Sequence, residues 1–139
     1  MFRVELKNWE EAREIAGPLR WSIFVGEQNV PEGIELDDLD AQCTHALAYT
    51  PDNKFVGTGR LLPDGRIGRM AVAKDWRKQG VGAALLEALL AEAKRQGHQQ
   101  VVVSAQLQAA EFYRGFGFEA EGKVYKEAGI LHQKMHKKI

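Results

Sequence analysis

The sequence predicts an α/β fold of the α+β type: a mixed, mostly antiparallel sheet with one central parallel strand pair, flanked by helices, in a single domain spanning residues 1–139. Three observations carry that expectation. Two turn signals, Pro51-Asp52-Asn53 and Pro63-Asp64-Gly65, separate three runs of strand length, which makes an antiparallel meander. Residues 80–96 keep the apolar spacing of a helix. The order strand, helix, strand from Arg66 to Ala105 calls for a right-handed crossover, so the strands on either side of that helix run parallel.

Each element has its own signal. Phe2, Val4 and Leu6 alternate with polar residues, as a half-buried strand does. Asn8 and Glu11 form a capping box that opens a helix. Ala12, Ile15, Ala16, Leu19 and Ile23 then keep helical spacing, while Pro18 predicts either a kink or a second helix starting near it. The stretch 27–42, EQNVPEGIELDDLDAQ, loses the pattern and reads as loop. Thr44–Thr50, Lys54–Leu62 and Arg66–Ala73 are the meander strands. In the helix that follows, Val81, Leu85, Leu89 and Ala93 form one stripe with Leu86 and Leu90 beside it. Lys94 and Arg95 complement its negative end, and Gly97 suits a left-handed cap. A β-branched strand (Gln100–Ala105), a short helix (Leu107–Phe116) and a strand pair around Phe118–Tyr125 and Leu131–Lys137 complete the order β-α-α-β-β-β-α-β-α-β-β.

Bulk properties narrow the function. The 139 residues are 45% hydrophobic and 27% charged, the profile of a folded globular chain able to bury a core. Lys+Arg and Asp+Glu both number 19, so the basic excess that phosphate neutralisation demands of a nucleic-acid binder is missing. No apolar run reaches the roughly 18 residues of a membrane span, and MFRVELKNWEEAREI lacks a signal-peptide core. Cys43 is the single cysteine. These features predict a cytoplasmic protein with neither nucleic acid nor membrane as partner.

The segment that carries chemistry is Ala73-Lys74-Asp75-Trp76-Arg77-Lys78-Gln79-Gly80-Val81-Gly82, between the third meander strand and the long helix. Two glycines open the helix and expose its unpaired N–H groups, whose partial positive charge suits phosphate oxygens. Arg77 and Lys78 add two cations, so an anion site for phosphate or pyrophosphate is expected. The alternative is that Gly80 and Gly82 only permit close helix–sheet packing. The pattern is neither a Walker A loop nor a dinucleotide fingerprint, since no Gly-Lys-Ser/Thr follows and Leu85 stands where a third glycine belongs.

Arg77-x-x-Gly80-x-Gly82 resembles the acetyl-CoA signature of GNAT acetyltransferases. The resemblance extends through Gln106-Leu107-Gln108-Ala109-Ala110-Glu111-Phe112-Tyr113-Arg114-Gly115-Phe116-Gly117-Phe118. Arg20-x-x-x-Phe24-x-x-Glu27-Gln28 and Ile130-x-His132-x-x-Met135 make the chain similar to the small ElaA/YjcF-like branch. It implies acetyl-CoA as co-substrate, with no metal, and a small primary amine as acceptor. It also implies a V-shaped opening between the strands of Arg66–Ala73 and Gln100–Ala105. Pantetheine would lie there along Met70, Ala71 and Val72, and the pyrophosphate on Arg77, Lys78, Gln79, Gly80, Val81, Gly82 and Ala83. Gln106 stands where many relatives have a pantetheine-contacting Asn, and members of the family are often homodimers.

The same resemblance makes Tyr113 the candidate general acid toward the leaving thiolate. A thiol near 8.5 and a tyrosine near 10 put full proton transfer about 2 kcal/mol uphill, so hydrogen bonding to the thiolate serves nearly as well. Glu27, Asp38, Asp40, His45 and His132 are the candidate bases, with Glu27 first because it ends the helix expected to border the acceptor cleft. From Trp21 to Asn53 there is no Lys or Arg while Glu27, Glu32, Glu35, Asp37, Asp38, Asp40 and Asp52 all occur, which predicts an acidic surface that collects a cationic acceptor. Trp9, Trp21, Trp76, Leu85 and Leu89 read as packing, Cys43 as a small buried hydrophobe, and Ser104 lacks the partners of a nucleophile. Two other readings stand beside the enzyme: a non-catalytic acyl-CoA-binding module, and an acyltransferase like the acyl-homoserine-lactone synthases, which the Arg20/Phe24 and Glu35/Asp38 region also resembles.

Overall fold

The computed structural model describes residues 1–139, and one sheet runs from end to end of the chain. Its strands are β1 (Arg3–Lys7), β2 (Thr44–Tyr49), β3 (Phe55–Leu61), β4 (Arg66–Val72), β5 (Gln100–Gln106), β6 (Glu119–Ala120), β7 (Tyr125–Glu127) and β8 (Ile130–Lys138). The order across the sheet is β1-β2-β3-β4-β5-β8, with β6 and β7 both paired to β8. Every pairing is antiparallel except β4–β5, as the crossover requires.

Helices cover both faces. On β2, Ala46 and Ala48 point into the main core while Leu47, between them, points the other way. Helix α3 (Val81–Arg95) lays Val81, Leu85, Leu86 and Leu89 on the first face. Helix α1 (Trp9–Arg20) packs Ala12 and Ala16 onto Leu47 on the second. Asn8 caps α1 by accepting from the Glu11 N–H at 2.9 Å. The close approach of α3 is made possible by β3, whose glycines leave room: a Cβ on Gly57 would meet Val81 Cγ1 at 2.8 Å, and one on Gly59 would meet Leu89 Cδ1 at 3.0 Å.

Three local expectations are corrected. Pro18 lies inside α1 without breaking it, and the helix continues past Arg20 as a wider π-helical stretch over Trp21–Glu27, where the Gln28 N–H reaches the carbonyl of Ile23. The stretch read as loop holds a single helical turn, α2 (Glu32–Glu35), and a 3₁₀ turn over Asp40–Gln42. The strand expected around Phe118–Tyr125 is two short ones, divided near Gly122 at φ +76°. A short helix, α4 (Ala110–Gly115), follows β5 as expected.

The feature that positions the site is an interruption in β4. Thr58 pairs with Ala71 and Arg60 with Gly68, so Arg69 and Met70 together oppose Gly59. This is a β-bulge, and Arg69 sits in it at φ +51°, a left-handed conformation that non-glycine residues rarely adopt. Beyond it β4 turns away from β5: only Arg66 and Ile67 pair with β5, against Val102 and Val103.

Gly57→Ala is expected to keep the fold and lose about 1–3 kcal/mol, the usual cost of overpacking, because its Cβ also meets the Ala71 carbonyl oxygen at 3.2 Å. Urea unfolding reads it as a lower midpoint at unchanged slope. An unchanged midpoint would mean that the glycine is not what seats α3.

Candidate functional site

The divergence of β4 and β5 leaves a wedge of about 800 Å³ that runs from the start of α3, past α4, to α2 and β7. That is the size of an ordinary small-molecule site.

At one end the wedge meets the start of α3. Gly80 holds the helix N-terminus at φ +95°, and no side chain caps it. The first intrahelical bond runs from the Ala84 N–H to the Gly80 carbonyl at 3.0 Å, so the preceding amides of the first turn have no helical partner. Lys78 is also left-handed, at φ +62°. A Cβ on Gly80 would touch nothing within 4 Å, and one on Gly82 would meet only Phe112, at 3.5 Å. These two glycines therefore do not serve helix–sheet packing, the role that Gly57 and Gly59 hold. Gly80 is needed for its backbone angle, and Gly82 keeps the wedge open. Arg77 reaches back to donate to the Val72 carbonyl at 3.1 Å and grips both Glu27 carboxylate oxygens at 2.9 and 3.1 Å.

Tyr113, on α4, lines the middle of the wedge among Phe112, Phe116 and Ala109. Burial pushes its hydroxyl up to about 12, so at neutral pH it is a donor that stays protonated. Opposite stands an amide cluster. Gln106 donates to Gln28 Oε1 at 2.7 Å, and its own oxygen accepts from Gln108 at 2.7 Å and Gln28 at 3.3 Å. His132 faces Gln106 across the β5–β8 ladder and also lines the wedge. Its Nδ1 lies 2.8 Å from the Ile130 carbonyl, which can only accept, so in the neutral ring Nδ1 carries the proton and Nε2 the lone pair. The Tyr125 ring stacks on it at 5.8 Å, and the Tyr125 hydroxyl bonds Ser104.

The acidic segment is tied inward. Arg20, buried in the end of α1, donates to Glu35 at 2.6 Å and to both Asp40 oxygens at 2.8 and 3.0 Å. Arg60 of β3 bonds Asp40 at 2.8 Å and Asp37 through both nitrogens at 2.8–2.9 Å. Arg69 bonds Asp37 at 3.1 Å and the Ile34 carbonyl at 2.9 Å. Burial works to raise the carboxyls of Asp37 and Asp40, but the guanidinium groups outweigh it and hold both low, Asp37 at about 2. Three arginines from outside the segment thus neutralise Glu35, Asp37 and Asp40 in a structural ion network, while Glu32 and Asp38 of the same run stay exposed.

Of the residues singled out from sequence, Met70, Val72, Arg77, Lys78, Gly80, Gly82, Ala83, Gln106, Tyr113 and His132 line the wedge. Ala71 and Val81 are buried beside it, and the Gln79 side chain turns back to the Asp75 carbonyl at 3.0 Å. Glu27 does not line it. Arg77 holds that carboxylate below its ordinary range, which weakens it as a base. Asp40 and His45 are buried under the ion network, where desolvation lowers the His45 imidazole. Trp9 packs over His45 at 4.8 Å, but Trp21, read as packing, is 48% exposed. Cys43 is buried as expected, and burial pushes its thiol up to about 11. Sequence reasoning missed Arg69, and it named Gln28 and Gln108 only within motifs, without a place in the site. An Arg inside the apolar run Ile67–Val72 was the one available sign of the bulge.

The chain has full-length relatives among known proteins. A family model described as an acetyltransferase (GNAT) domain matches residues 21–139. The uncharacterised N-acetyltransferase YjcF of Bacillus subtilis is 36% identical over 141 residues, covering 99% of each chain. An acyl-CoA N-acyltransferase from Pseudomonas aeruginosa superposes with TM-score 0.86 at 29% identity, over 99% of each chain. Escherichia coli ElaA superposes with TM-score 0.86 at 26% identity, over 99% of this chain and all of that one.

The network makes stability depend on acid. A carboxyl held near 2 when folded and near 3.9 when unfolded contributes its stability above about pH 4, and loses it as pH falls toward 2. Asp37→Asn is expected to cost about 1–2 kcal/mol at pH 7, allowing for solvent screening, with the gap closing between pH 4 and pH 2 in urea titrations. Arg20→Met, which strands the buried Glu35 and takes from Asp40 one of its two arginines, should cost about 3–5 kcal/mol. A pH-independent Asp37→Asn gap would contradict the ionic account.

Proposed function

The chain belongs to the acetyltransferase (GNAT) family, and from that premise we propose that it moves an acetyl group from acetyl-CoA to a primary amine by direct attack in a ternary complex. The proposal takes residues 1–139 as one N-acetyltransferase domain acting in the cytoplasm. The observation that carries it is the convergence of two unpaired backbone features on one wedge: the free edge of β4 beyond Ile67, and the uncapped start of α3.

The residues present fit the co-substrate. Arg77, Lys78 and the first-turn amides of α3 offer cations and N–H donors for a pyrophosphate, and Gly82 presents no side chain to obstruct it. The β4 edge from Gly68 to Val72 offers main-chain groups for a pantetheine arm, although the Val72 carbonyl is first shared with Arg77. Acetyl-CoA supplies the activated thioester. Tyr113 donates a hydrogen bond to the departing sulfur and keeps its proton, since transfer from a phenol near 12 to a thiolate near 8.5 is about 5 kcal/mol uphill. His132 accepts the acceptor's proton at Nε2, the lone pair that its bond to Ile130 leaves free. We assign that role to His132 over Glu27, which Arg77 holds outside the wedge lining.

Acetyl-CoA at a hundredfold excess over its dissociation constant should stabilise the fold by about 2.7 kcal/mol. Gly82→Val should leave the unliganded melt within a few degrees while removing most of that shift. A melt unmoved by acetyl-CoA and by CoA would overturn the proposal.

Tyr113→Phe should lower kcat by about tenfold to a hundredfold, the worth of one hydrogen bond to a charged group, with acetyl-CoA affinity preserved. His132→Gln should remove the acid limb of the kcat/KM–pH profile for the amine. If that limb survives in His132→Gln and vanishes in Glu27→Gln, the base assignment reverses.

A further inference from the structure

The ion network behind the wedge has a topology that its pairwise contacts do not make obvious. Followed by hydrogen bonds it is an open chain of alternating sign: Glu35, Arg20, Asp40, Arg60, Asp37, Arg69. Each of the four inner members has an opposite charge on both sides. Each terminal member has one: Glu35 is bonded only by Arg20, and Arg69 is paired only with Asp37. Both terminal residues line the wedge and none of the inner four does.

The terminal groups keep unused capacity. The Arg69 Nε–H is buried without a partner, its Nη1 makes no hydrogen bond, and its side chain is 26% exposed. Burial and the neighbouring Arg60 and Arg20 disfavour its charged form, so an added anion would relieve it. At the other end Oε1 of Glu35 takes the Arg20 bond, and Oε2 accepts none. The two ends lie close, since Arg69 also donates to the carbonyl of Ile34, the residue before Glu35.

We propose that these two ends form the acceptor subsite, and that the acceptor is a zwitterion of the amino-acid class, its carboxylate on Arg69 and its ammonium on the Glu35 side. A chain of three positive and three negative charges is neutral as a whole. A purely anionic ligand would leave a surplus negative charge beside Glu35, and a purely cationic one a surplus positive charge beside Arg69. A ligand carrying both signs completes each end without changing the total. Arg69 Nη2 is already taken and Nε is buried, so Nη1, which has no partner and is not buried, is the donor left for a carboxylate. The inference rests on the acetyltransferase reading for what happens to the bound amine, but not for the binding itself.

The test therefore reads binding. The twenty L-amino acids are screened by saturation-transfer NMR against the protein, free and saturated with CoA. The best binder is then compared by calorimetry with its carboxamide and its decarboxylated amine. We expect an amino acid to bind, and both analogues to bind at least tenfold more weakly. In Arg69→Gln, with a cooperative melt as the check on folding, the three ligands should fall within about twofold of one another, and Arg69→Lys should lie between. Should Arg69→Gln fail to fold, the ranking in the wild-type protein decides alone. CoA binding with no amino acid bound, or equal affinity for the decarboxylated amine, overturns this proposal and leaves the acetyltransferase reading standing. Selective amino-acid binding with no affinity for CoA or acetyl-CoA does the reverse.

Discussion

The bulge in β4 is the constraint on which the rest of the structure depends. A parallel pair with full register would have closed the sheet between β4 and β5, and no wedge would exist. Two residues opposing Gly59 shift β4 out of register, and pairing with β5 stops after Ile67. The bulge is packed as well as bent. A Cβ on Gly59 would fall 2.4 Å from Met70 Sδ, so the missing side chain on β3 is what admits the Met70 side chain from the bulge. The same glycine lies beneath Leu89 of α3. Strand, bulge and helix are thus one packing unit, and the helix whose start forms one end of the wedge is seated by the residues that open it.

Holding Arg69 left-handed has a conformational cost on the order of 1–2 kcal/mol, and the ion network offsets it. Arg69 is fixed from above by the Ile34 carbonyl and Asp37, which are in turn held by Arg60 and, through Asp40, by Arg20. A buried network of this kind adds little net stability compared with an apolar core of the same shape. What it supplies here is placement: it brings the 32–40 segment onto β3 and β4 and makes it the far wall of the wedge. The π-helical widening after Pro18 belongs to the same placement, since it carries Phe24 and Gln28 to the wedge from a helix that starts on the opposite face.

Periodicity made the architecture legible. The meander, the long helix and the parallel crossover each rest on spacing that survives in a single sequence, and each stands in the structure. The glycine-flanked start of α3 was legible for the same reason, because a local backbone need leaves a local signature. What stayed hidden is non-local. The acidic run at 27–42 looks like a solvated surface because its three compensating arginines lie at 20, 60 and 69, in three other elements. Glu27 looked like a base because nothing in the sequence ties it to Arg77, fifty residues on. The bulge left a single mark, Arg69 within a strand that otherwise keeps its pattern, and nothing local says what that arginine pairs with.

A chain of net charge zero can still hold a strong internal gradient, and the wedge does. At the α3 end Arg77, Lys78 and the helix dipole concentrate positive charge, with Glu27 the single carboxylate engaged there. At the other end the charges cancel in sequence from Glu35 to Arg69. A highly charged anionic ligand is therefore drawn to one end only, which sets its direction in the wedge before any specific contact forms. Between the two ends apolar and aromatic side chains surround uncharged polar groups: the Tyr113 hydroxyl, the Gln28, Gln106 and Gln108 amides, Ser104 and the His132 ring. Such a middle tolerates a neutral group passing through and penalises an unpaired charge. Such surroundings would favour the neutral form of any amine placed there, beside the free lone pair of the neutral His132 ring.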